Sequence, residues 1–107
     1  MSKPITYYVQ TPAVDRLCNK YGSYWQGLTN KERLNIASAV AQHLLYLETD
    51  SLNLLLADAS LCSLATRDEF EFEDHDEVMR LLDHMEIQLD ATQMVRLLEG
   101  IYSNMTF

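Results

Sequence analysis

The sequence predicts an all-α fold: a compact single domain of four to five helices over residues 1–107. Three observations carry this expectation. Apolar residues recur at i, i+3, i+4, i+7 spacing in several separate segments. Those segments open on Thr, Ser or Asp residues suited to N-caps, and three of them place Glu or Gln three residues further on. The apolar share of 48% belongs to a globular chain, and 107 residues suit one domain with its own core.

The first predicted helix covers Pro12–Tyr21. Thr11 is its N-cap, Pro12 takes the first helical position where a missing N–H costs nothing, and Val14, Leu17, Cys18 and Tyr21 form one stripe. Gly22 ends it. Residues 23–28, with Tyr24, Trp25 and Gly27, read as an aromatic-anchored loop folded onto the core. The second helix has the clearest start: Thr29-Asn30-Lys31-Glu32 matches the capping box. It runs to about Glu48, with Leu34, Ala37, Ala41 and Leu44 and, alongside, Ile36, Val40 and Leu47 on a broad apolar face. So wide a face belongs to a central helix touched on more than one side. A third helix is expected over 51–64, with Leu52, Leu55, Leu56, Ala59 and Cys62 inward.

Between the third and fourth helices, Glu69-Phe70-Glu71-Phe72-Glu73 alternates with period two, and Ile5-Thr6-Tyr7-Tyr8-Val9 has comparable β character. Pairing 5–9 with 69–73 would make a minor β-ribbon. The preferred alternative is an extended loop pinned to the helices by Phe70 and Phe72. The fourth helix starts at Asp74 or His75, with Glu77 in its first turn and Val78, Leu81, Leu82 and Met85 inward. The fifth follows Asp90, which pairs with Gln93 as a second capping box, while Leu89 and Met94 have hydrophobic-staple spacing. Val78-Met79-Arg80-Leu81-Leu82-Asp83 and Met94-Val95-Arg96-Leu97-Leu98-Glu99 align, which suggests two helices meeting one packing problem as a C-terminal αα-hairpin.

Charge divides the chain. Residues 1–67 carry six Lys/Arg against five Asp/Glu, whereas 68–107 carry Arg80 and Arg96 against eleven acids, a net of −9. Seven of the ten residues 68–77 are acidic. With a total of −8, direct nucleic-acid or membrane-surface binding is disfavoured and a protein partner with a basic surface is favoured. A recognition helix after Asp90 would sit inside the most acidic segment, against the needs of DNA reading.

Motifs for chemistry are sparse. His43, His75 and His84 lack a His or Cys at i+3 or i+4, and the acidic run lacks the central Gly of a calcium loop, so no metal and no cofactor is expected. Cys18 and Cys62 have no CxxC partner and read as reduced thiols in a cytoplasmic protein. No apolar run spans a bilayer, and the N-terminus has no signal-peptide pattern. Without a GxSxG, P-loop or GxGxxG motif, the chain is not expected to be an enzyme.

The reading is therefore a small acidic regulatory or adaptor protein. Its partner-binding candidates are Glu69, Phe70, Glu71, Phe72, Glu73, Asp74, Asp76, Glu77 and Met79: acids to steer association and apolar side chains to hold it. Met79, Met85, Met94 and Met105 add a methionine-bearing C-terminal part. The alternatives are a nucleic-acid mimic that inhibits a DNA- or RNA-handling protein, and a small enzyme using a thiol or carboxylate. Tyr102 and Phe107 could serve a homodimer.

Overall fold

The strongest start signals become helix starts in the computed structural model, which describes residues 3–48, 60–66 and 70–105. Helix α1 is a single turn, Ile5–Tyr8, and α2 is Pro12–Tyr21. The Thr11 hydroxyl accepts from the Val14 N–H at 3.3 Å, and Gly22 closes α2 with φ of 101°, a conformation that favours glycine. Helix α3 is Asn30–Glu48. Its capping box is complete: Glu32 N–H donates to Thr29 Oγ1 at 3.1 Å and Thr29 N–H to Glu32 Oε1 at 2.9 Å. Helices α4, Leu61–Ala65, and α5, His75–Gln88, precede α6, Ala91–Ser103, where Asp90 and Gln93 form the second box.

Among the described residues, backbone packing runs in a closed ring: α1 on α2, α2 on α5, α5 on α4, α4 on α3, α3 on α6, and α6 back on α1. One apolar cluster draws on all six helices and on Trp25, Leu28 and Phe72 between them. Trp25 is fully buried, so the 23–28 loop is part of the core, as its aromatic content predicts. Gly100 lets α1 approach α6, since a Cβ there would lie 2.8 Å from the Tyr8 ring.

Long-range caps lock the ring. The last turns of α5 supply Glu86, which accepts from Leu61 N–H at 2.7 Å, and Gln88, which accepts from Ala13 N–H at 3.0 Å. Each satisfies a donor that a helix start leaves open.

Several expectations change. The β-ribbon does not form: Ile5 is buried in a helical turn, where its N–H donates to Ser23 O, while 70–72 are irregular loop and Glu73 enters a turn. The αα-hairpin is replaced by a corner. The link between α5 and α6 is only Leu89 and Asp90, both extended, and the two helices take opposite places in the ring instead of lying along one another. The matching hexapeptides thus pack one core from two sides. The helix over 51–64 is not continuous, because Ser60 is an extended N-cap that restarts the chain at Leu61. Its inward candidates Leu52, Leu55, Leu56 and Ala59 lie outside the described residues, and Cys62 is half-buried. On α3 the inward face is Ile36, Ala37, Val40 and His43, whereas Leu34, Ala41 and Leu47 are exposed.

Candidate functional site

Residues 70–74 form an acidic strap leading into α5. Phe72 is its main anchor, 3% exposed within the core cluster. Phe70 is half-buried and meets Phe72 edge-on, with ring centroids 5.0 Å apart, and Lys31 Nζ stands 5.5 Å from the Phe70 centroid. The backbone is held as well. Glu73 N–H donates to Glu32 Oε2 at 3.4 Å, so the carboxylate that caps α3 also ties down the strap. Asp74 is the N-cap residue of α5 but makes no side-chain cap bond; its carboxylate pairs with Lys20 at 2.8 Å. The Asp74 hydrogen bond raises the Lys20 pKa above its ordinary value. Both partners are substantially exposed, so this contact orients more than it stabilises.

The pinned backbone displays its acids. Glu71, Glu73, Asp74 and Asp76 are exposed, while Glu77 is half-buried and bonds Arg80 one turn along. Glu73, Asp74, His75, Asp76 and Glu77 line an open depression of about 450 Å³. Asp76 and Glu77 lie in the first turn of α5, where the helix dipole favours negative charge. Ring atom Nδ1 of His75 is turned away from solvent, with no hydrogen-bond partner among the described residues.

Of the sequence candidates, the structure brings Phe70 through Glu77 into one continuous strap and helix start, while Glu69 lies outside the described residues. Phe72 does not join an exposed apolar edge, because it belongs to the core, and Phe70 and Met79 are only partly exposed. Met85 and Met94 are buried, as their inward helix positions predict, and Met79 and Met105 are partly buried against the core, which leaves little methionine surface. Lys20 and Glu32, the side chains that hold the strap, were missed as site residues. The capping box marks Glu32, but nothing local reveals its second bond across 41 residues.

Glu32→Ala removes both accepted backbone bonds and should cost about 2 kcal/mol of unfolding free energy. Chemical denaturation of the variant beside the wild type reads this directly. A loss confined to a few tenths would mean that the strap and the α3 start are held by other contacts.

Neither thiol is set up as a nucleophile. Burial is the main cause that pushes Cys62 up to about 12, and the Asp83 carboxylate adds to it by accepting the S–H at 2.9 Å; a second acceptor is Met79 O at 3.0 Å. The reactive thiolate is therefore scarce at neutral pH. Burial also raises Cys18, with the Trp25 indole offsetting part of the rise. Among the described residues, no three His, Cys, Asp or Glu side chains converge as metal ligands, and no helix is long and apolar enough to cross a membrane. Comparison with protein-family models, curated protein sequences and solved structures finds no match for this chain.

Proposed function

We propose that this chain is a regulatory or adaptor protein that binds a basic surface of another protein through the acidic strap and the first turn of α5. The observation that carries the reading is the fixed display of acids. Glu71, Glu73, Asp74 and Asp76 are exposed on a backbone already pinned by Phe72, Glu32 and Lys20. A preorganised charged surface loses little conformational freedom on binding. With Phe72 committed to the core, charge carries more of the recognition than the sequence suggests, so association should be fast and sensitive to salt. The half-exposed edges of Phe70 and Met79 add a small apolar component. Free Cys18 and Cys62 suit a reducing, cytoplasmic setting.

Capture from a lysate at low salt, followed by kinetic measurement on the retained protein, tests the reading. The triple variant Glu71→Gln, Glu73→Gln, Asp76→Asn removes exposed charges without disturbing the Lys20 pair. It should slow association about tenfold at low salt and flatten the salt dependence, with the melting temperature little changed. An unaltered rate and salt slope would sink the proposal. Displacement of the partner by duplex DNA would move the reading to nucleic-acid mimicry.

A further inference from the structure

The broad apolar pattern of α3 has two sides, and among the described residues only one is buried in the domain. Ile36, Ala37, Val40 and His43 face the core. On the other side Lys31, Leu34, Ser38, Ala41, Leu45 and Glu48 are all exposed. Leu34 is 40% exposed and Leu45 53%. These six positions are spaced alternately by three and four residues, the seam of a coiled coil.

The stripe is also complementary to itself when reversed. About its midpoint, Leu34 matches Leu45, Ser38 matches Ala41, and the cation Lys31 matches the anion Glu48. We infer that α3 is a homodimer interface in which two copies of this chain pair their α3 helices antiparallel across a two-fold axis between residues 39 and 40.

In that arrangement Ser38 and Ala41 sit at the centre, where small side chains let the helix axes approach to about 8 Å. Leu34 of each copy packs against Leu45 of the other on both flanks. The outermost contacts are two symmetry-related Lys31–Glu48 pairs, about 25 Å from one end of the helix seam to the other at 1.5 Å rise per residue. An isologous interface makes every such contact twice. Parallel pairing has no comparable rationale, since it sets Lys31 against Lys31 and Glu48 against Glu48. Lys31 rests over the Phe70 ring in the single chain, and its exposure leaves it within reach of a second copy. Both helices are already held by their own domains, so pairing carries no cost of helix formation. This inference does not rest on the proposed role of the acidic strap, which the seam meets at Lys31 over Phe70.

Sedimentation equilibrium of the full chain over a wide concentration range should show a monomer–dimer equilibrium. Ala41→Glu places a charge at the centre of the seam and should weaken the dimer at least about a hundredfold. At concentrations low enough for both proteins to be monomeric, circular dichroism should show its helicity and melting unchanged, because Ala41 is exposed in the single chain. Lys31→Glu and Glu48→Lys should each weaken self-association about tenfold by setting like charges together. An equimolar mixture of these two variants should recover dimer, because every end pair is then of opposite charge. A wild-type chain that stays monomeric throughout overturns the inference. So does a dimer indifferent to Ala41→Glu, or a mixture no better associated than its components.

Discussion

Trp25→Ala should lower the unfolding free energy by about 3–5 kcal/mol, the range for truncating a large buried aromatic. Domains of this size have a total stability of about 5–15 kcal/mol, so the variant would stand near the unfolding threshold at 37 °C. The size of the effect follows from where the side chain lies. Trp25 is fully buried although it belongs to a short loop, and it packs with Leu28 and the six-helix cluster. Its φ of 55° is unusual for a bulky residue, so the surrounding structure must hold it there. Two bonds frame it: Trp25 N–H donates to Gly22 O at 2.9 Å, and Leu28 N–H donates to Trp25 O at 3.0 Å. Urea denaturation followed by far-UV circular dichroism reads the loss. Tryptophan fluorescence cannot serve here, because Trp25 is the chain's one tryptophan. A cost under about 1 kcal/mol would show that the loop packs on the domain without closing its core.

Phe72→Ala should cost about 3–4 kcal/mol, for the same reason and with a consequence for the acidic surface. Phe72 is buried while its neighbours Glu71 and Glu73 are exposed, so one ring fixes the height at which the strap crosses the core. Without it, the Glu32 and Lys20 contacts remain but act on a looser segment. The variant should therefore unfold at lower urea and expose the strap's amides to faster hydrogen exchange before global unfolding. Phe70→Ala, at a half-buried position, should cost roughly 1–2 kcal/mol. If Phe72→Ala were as stable as the wild type yet lost partner capture, Phe72 would be a contact residue and the burial argument would fail.

Helix starts were legible in the sequence because their causes are local. A capping box needs a hydroxyl or carboxylate and a partner three residues on, and Thr29 with Glu32 and Asp90 with Gln93 satisfy each other within one turn. The end of α2 at Gly22 is local in the same sense. The first strand-like segment misled for the opposite reason. Ile5-Thr6-Tyr7-Tyr8 has β-prone side chains, but the packing of Ile5 and Tyr8 against the core and α6 outweighs that weak preference. The break at Ser60 was passed over because the apolar spacing continues through it, although the serine itself was the signal.

The site divides along the same line. The density of acids in 68–77, and the role of Phe70 and Phe72 as anchors, follow from residue type and alternation. Which anchor is buried, and which carboxylate reaches back to hold the strap, depends on contacts between residues far apart in the chain.

By itself, then, the sequence determined the starting points of α2, α3, α5 and α6, the helical class and the division of charge, because each is set by neighbours within a turn or by composition alone. Only the tertiary structure decided that the six described helices close into a ring, that the last two turn a corner instead of forming a hairpin, and that Phe72 is spent on the core. It also decided which half of the broad α3 face is used. A periodic pattern shows that a face is apolar, but what covers that face depends on which other helices the packing brings beside it.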